Sequence, residues 1–303
     1  ALSTLFPIKV VISTGKSDWE RSVTDVKGSL AAHLLAVDSG TAPCSASTST
    51  SGTSTPGTPG STLRGFEPTA VTGIFKDSET RKVSILNGSH DTLSAASDVE
   101  TVLVFPDYKL VTEVPCSLDG ARELWDHSVD PSVPRLGSSL VLGPLKSWII
   151  PYSCVILICS HRRRDVRCAV VAPKLEHAFS EALHREGWDV HTQLEEPTGP
   201  SLEDFNHSDE DKEAEMQRRL QELDEDIHKK ALILKTSHIG GHKYAGNVII
   251  YMPQGSGVWY GRVSTHEVYP IVQNTILGGR ILPPLLRGGV NLSRPDCKRL
   301  NDW

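Results

Sequence analysis

Ser153–Cys159 reads SCVILIC. An unbroken apolar run of this length, set between Pro151 and the polar HRRRD that follows, predicts a strand buried on both faces. The strand ends on Cys159, which opens CSHRRRDVRC and so pairs at a Cys-x8-Cys spacing with Cys168. A second run, ALILKTS (Ala231–Ser237), leads in the same way into SHIGGH, with His238 and His242 four apart. Each pair is expected where a strand spills into a loop. Two thiolates and two imidazoles make a four-ligand set for zinc or for an iron–sulfur cluster.

Outward from this centre, the pattern is α/β. Pro173 is expected to open a helix to Arg185, closed by Gly187, with a strand at Trp188–Leu194. Glu195–Asp211 is acidic and without core periodicity, and reads as an insert (195–211). Met216, Leu220, Leu223 and Ile227 recur at helical spacing after a start near Ser208, a stripe that packs on a sheet. NVIIYM (Asn247–Met252) and VWYGRV (Val258–Val263) form a hairpin through Gln254–Gly257. Thr265 is expected to cap a last helix to Leu277, ended by Gly278-Gly279. Towards the N-terminus, Pro7–Thr14, Val83–Leu86 and Thr101–Phe105 read as strands, and Asp25–Val37 and Leu118–Asp126 as helices. Residues 39–64 are rich in Ser, Thr, Gly and Pro, cannot bury a core, and are expected to be a disordered loop. The resulting division is an N-terminal domain over 1–135, a C-terminal domain over 136–294 and a tail over 295–303.

The bulk numbers narrow the function classes. A chain of 303 residues fits about two domains. A net charge of −6 gives no whole-molecule case for nucleic acid or anionic lipid. The six cysteines (Cys44, Cys116, Cys154, Cys159, Cys168 and Cys297) show no regular disulfide spacing, which fits a reducing, cytoplasmic compartment. The longest apolar run, Trp148–Cys159, contains Pro151 and is too short to cross a bilayer, so no membrane role is expected. The start ALSTLFPIKVV has neither a secretory nor a mitochondrial pattern; a trimmed leader would make the alternative location mitochondrial.

Eight residues between the cysteines exceed the spacing of zinc ribbons and of thioredoxin redox pairs, and match a loop that wraps a two-iron core. Gly240-Gly241 between the histidines argues for a loop in which backbone approaches a metal closely. His161 completes only half of a Rieske pattern and is expected beside the site or exposed. Arg162, Arg163, Arg164 and Arg167 are expected to stabilise the thiolates. Cys154 reads as core, Trp259 and Tyr260 as sheet core, and Lys243 and Tyr244 as groups that tune the centre or merely pack.

STGKSDWERSVTDVKGSLA (Ser13–Ala31), CSHRRRDVRCAVVAP (Cys159–Pro173), HIGGHKYAGNVIIYMPQGSGVWYGRV (His238–Val263) and LLRGGVNL (Leu285–Leu292) together resemble the sucrase/ferredoxin-like, or actin-patch-distribution, family. The resemblance implies two thioredoxin-like domains, the C-terminal one holding a 2Fe–2S cluster on Cys159, Cys168, His238 and His242. It implies an electron carrier rather than an enzyme with its own substrate, acting in redox homeostasis or on redox-active xenobiotics with a redox partner protein. Two ferric ions, two sulfides, two thiolates and two neutral imidazoles sum to zero charge, so the potential is expected above plant-type ferredoxins and coupled to protons. The tail ends Asn301-Asp302-Trp303, and Asp302 and Trp303 are expected to dock the cytosolic iron–sulfur targeting complex. The competing readings are a structural Cys2His2 zinc scaffold, with an indirect role in actin organisation, and a thiol oxidoreductase, which the absence of CxxC weakens.

Overall fold

A computed structural model describes residues 8–40, 83–130, 145–204, 209–225 and 229–292; the side chains of 209–213, 224, 225 and His242 fall outside that set. Most of the expected loop at 39–64, Ser208, Ile227, Cys44, Cys297 and the tail with Asp302 and Trp303 also lie outside the described residues, as does the expected boundary at 135.

The centre of the fold is β6 (Cys154–Cys159), whose six residues are all buried. It pairs in parallel with β8 (Lys230–Thr236) and antiparallel with β9 (Val248–Tyr251). Alternate side chains of β6 enter opposite cores, as a pleated strand requires. Cys154, Ile156 and Ile158 pack on α3 (Val166–Arg185) and α5 (Thr265–Ile271) through Leu175, Phe179, Val268 and Ile271. Val155, Leu157 and Cys159 face a second core that Met216 and Leu220 of α4 (Asp209–Glu225) help to cover. The expected apolar stripe of α4 is therefore a packing face. β10 (Gly257–Tyr260) forms the hairpin with β9, and β11 (Leu286–Val290) adds an edge strand that the sequence pattern does not announce.

On the other side lie β1 (Ile8–Ser13), β2 (Val83–Gly88), β3 (Val99–Phe105), β4 (Lys109–Pro115) and β5 (Lys146–Ile149), with α1 (Leu30–Asp38) and α2 (Leu118–Leu124) on one face. Val10, Ile12, Val102, Val104, Leu30 and Leu34 fill that core. All these strands join one eleven-stranded sheet in the order β11-β10-β9-β6-β8-β2-β1-β3-β4-β5, with β7 (Asp189–His191) paired to β8. The two expected halves thus share one sheet. They meet where β2 touches β8 at one ladder pair, Gly88 with Thr236. Hydroxyls extend this short junction: Ser237 Oγ accepts Asn87 N–H at 3.0 Å and Ser89 Oγ accepts Lys235 N–H at 3.1 Å.

Three helix starts differ from the sequence expectation for local reasons. Gly28 takes φ +78° and Ser29 caps, so α1 begins at Leu30 rather than Asp25. Ser264, not Thr265, is the N-cap of α5, in a capping box with Glu267. The α3 helix begins at Val166 with Asp165 as N-cap, and Pro173 lies inside it, where it removes one amide hydrogen bond.

Beside the junction, His90 is fully buried, and Gly88 makes room for it: a Cβ there would lie 2.6 Å from His90 Nδ1. Burial, with neither ring nitrogen in a hydrogen bond, lowers the His90 pKa from 6.5 to about 4. Between these values the unfolded chain binds a proton that the folded chain refuses. Stability contributed here is therefore complete above pH 6.5 and falls as pH is lowered to 4, by about 3 kcal/mol. Urea titrations at pH 7 and 4.5 should show this loss, and His90→Gln should flatten it.

Candidate metal centre

Parallel pairing explains how residues far apart in sequence meet. Cys159 is in register with Thr236, so the C-terminal ends of β6 and β8 leave the sheet at the same edge. Beyond β8 the chain passes Ser237 and reaches His238. Beyond β6 it turns through Ser160–Asp165 and enters α3, whose third residue is Cys168. Cys168 therefore sits in the first helical turn, not in the loop expected between the two cysteines. Cys159 and Cys168 are 2% and 1% exposed.

The two sulfurs are hydrogen-bonded to each other, and the His238 side chain also bonds to Cys159. Cys159 is held well below the usual thiol range, first by the Cys168 thiol, then against the cost of burial by His238 and the backbone groups of Ile239 and His161. Cys168 is pushed up by that same bond to Cys159, by burial and by the charges of Cys159 and Asp165, and is eased by the backbone of Gly246. Cys154, by contrast, is an ordinary core thiol whose pKa burial raises.

His161 is buried and positions this arrangement, a role its place in the sequence does not disclose. Its Nδ1 accepts the His238 backbone N–H at 3.1 Å, which assigns the ring proton to Nε2, and Nε2 donates to Trp19 O at 3.1 Å. Trp19 meets the ring edge-on at 6.0 Å. The contact belongs to a clasp between Ser17–Arg21 and Ser160–Arg164. Ser160 Oγ donates to Ser17 O at 3.0 Å, Arg162 N–H to Asp18 Oδ1 at 3.0 Å and Arg164 Nη1 to Arg21 O at 3.3 Å, and Arg163 pairs with Glu20. Arg167 pairs with Asp165 at 2.8 Å. Of the arginines expected to serve the thiolates, Arg163 is engaged with Glu20, whereas Arg167, paired with Asp165, also feels the charge of Cys168.

After His238, Gly240 and Gly241 take φ +111° and +59° and turn the chain across Trp259. A Cβ on Gly241 would lie 3.1 Å from that ring. The close approach these glycines permit in the structure is thus to an indole. Trp259 Nε1 donates to Asn247 Oδ1 at 3.1 Å, and Asn247 Nδ2 donates to Gly241 O at 3.2 Å, which locks the turn. His242 opens a single 3-10 turn to Tyr244; its side chain is outside the described residues. Gly246 follows at φ +88°, where a Cβ would be 2.4 Å from Val263 O. Gly246→Ala should cost about 2 kcal/mol or more, from the left-handed backbone and the collision together, visible as a lower urea midpoint.

Three of the four expected residues therefore come together, joined through Cys159. Among the described residues, no group of three or more His, Cys, Asp or Glu side chains is arranged around a single point as a ligand set for one ion. The donors suit a soft metal group: two adjoining sulfurs, an imidazole, and backbone groups directed at both sulfurs. The four described cysteines are free thiols, so nothing covalent ties up the pair. A cleft of about 360 Å³ lined by Trp148, Pro151, Pro197 and Leu223 contains none of these residues. Among the described residues, no helix is long and apolar enough to cross a membrane.

The family model described as sucrase/ferredoxin-like matches residues 4–288. "Altered inheritance of mitochondria protein 32" of Clavispora lusitaniae is 34% identical over 134 residues, covering 44% of this chain and 34% of that protein. "Actin patches distal protein 1" of Saccharomyces cerevisiae is 29% identical over 123 residues, covering 40% and 29%. The chain spans about a third of the length of the curated relatives it matches. The solved thioredoxin-like [2Fe-2S] ferredoxin from Aquifex aeolicus is 16% identical and covers 44% of this chain and 92% of its own, with a TM-score of 0.25, too low to carry an argument.

Proposed function

The chain belongs to the sucrase/ferredoxin-like family, and from that premise we propose that Cys159, Cys168, His238 and His242 hold a 2Fe–2S cluster in an electron-carrying protein. The observation that supports the reading most directly is the meeting of both sulfurs with His238 where β6 and β8 end. When bound, such a group supplies storage of one electron shared between two irons. The chain's own residues set the conditions for it. Backbone groups of Ile239 and His161 at Cys159, and of Gly246 at Cys168, favour negative charge on the sulfurs. His161 fixes the backbone of His238, and Trp259 floors the turn that carries His242. With two neutral imidazoles the donor set brings two negative charges instead of four, and each imidazole retains a second nitrogen able to hold a proton.

Electron paramagnetic resonance of the reduced, brown protein should give a two-iron signal with nitrogen coupling. Its midpoint potential should fall by about 59 mV per pH unit while one proton accompanies each electron. A colourless chain with stoichiometric zinc would overturn the reading in favour of a structural scaffold. We place the carrier in the cytosol, where the free thiols stay reduced. Relatives named for inheritance of mitochondria make fractionation of the native host the test of that placement.

A further inference from the structure

Tyr244, two residues after His242, is surrounded by cations. Arg287 Cζ stands 4.0 Å from its ring centroid, and Arg262 Cζ and Lys243 Nζ each stand 5.1 Å away. The group is held by backbone and by space. Arg262 N–H donates to Tyr244 O at 3.1 Å. Gly261 leaves the gap through which Arg287 reaches the ring, since a Cβ there would lie 2.9 Å from Arg287 Nε and 3.0 Å from Tyr244 Cβ. Among the described residues, none of these three cations is in an ion pair, and Arg287 Nε has no acceptor. An aromatic face attracts a cation, but it cancels no charge.

The whole-chain charge hides this feature. Residues 195–225 hold twelve Asp and Glu against three Lys and Arg, more than the net −6, so the rest of the chain is net basic. The helix of that acidic stretch packs near β5, at the far edge of the sheet. In the segments that carry the candidate centre, by contrast, Lys243, Arg262, Arg162 and Arg164 are exposed. Arg164 donates to a carbonyl, which leaves its charge in place.

We propose that Lys243, Arg262 and Arg287 on Tyr244 form the docking point for an acidic protein that exchanges electrons with the centre. This rests on the electron-carrier reading. The partner is a protein surface with clustered carboxylates: three cations gather on one ring, Lys243 and Arg262 are exposed, and Arg287, whose Nη1 donates to Leu286 O at 3.1 Å, adds its charge from behind the ring. Approach would be steered by charge and weakened by salt.

Two measurements on the full, loaded chain test this, with Lys243→Gln/Arg262→Gln as the main variant because both positions are exposed. Binding of a labelled polyglutamate peptide should weaken with salt and fall roughly tenfold in the variant, whose visible spectrum stays unchanged. Equal binding by both chains would overturn the proposal. The reduced chain should pass electrons to anionic ferricyanide with a salt-sensitive advantage over cationic hexaammineruthenium(III), and the variant should lose that advantage; an advantage kept by the variant would also overturn it. A chain that accepts no electron fails the carrier reading alone, and the peptide still judges the docking point.

Discussion

A chain carrying Cys159→Ser is expected to emerge colourless and to lose roughly tenfold or more of its bound iron. Cys159 is the residue through which the centre is connected: Cys168, His238 and the backbones of Ile239 and His161 all bond to its sulfur. A serine oxygen is a harder and poorer donor to iron, yet it accepts the same backbone hydrogen bonds in the same buried space. The fold should therefore persist with a loss of about 1–2 kcal/mol. Iron analysis beside a urea titration separates the two effects. Full iron content in a folded Cys159→Ser chain would remove Cys159 from the ligand set.

The second large effect is expected from His238→Cys. The position follows β8 and is anchored through its backbone N–H to His161, so a shorter side chain is presented from the same place. A thiolate in place of a neutral imidazole adds one negative charge to the donor set. The midpoint potential should drop by on the order of 100 mV or more, toward plant-type ferredoxins near −400 mV, and its dependence on pH should shrink. Potentiometry at two pH values checks this. A spectrum and potential identical to those of the parent chain would exclude His238 as a ligand.

The strands nearest the centre were legible because they are apolar on both faces: SCVILIC, ALILKTS and NVIIYM have no other use in a folded chain. The pairing of their ends was not, since a parallel register is set by tertiary contact. The start of α3 departs from the sequence expectation because Pro173 is a strong opening signal, whereas Asp165 as N-cap wins in three dimensions. The β11 strand, LRGGV, has two glycines and an arginine and owes its form to its neighbour β10. His161 is read from the sequence as beside the site or exposed; the structure gives the first, and what the sequence does not disclose is its acceptor, Trp19 O, 142 residues away. For Tyr244 the sequence leaves tuning and packing as alternatives, because the cations on its ring come from separate stretches of the chain.

The clasp of Ser17–Arg21 on Ser160–Arg164 bears on how this chain can be cut and rebuilt. A C-terminal fragment transplanted to a foreign scaffold would leave the Trp19 carbonyl behind, and His161 would lose the acceptor that orients its ring. The proposed ligands come from one half of the sequence, but the smallest portable unit that keeps them oriented includes both.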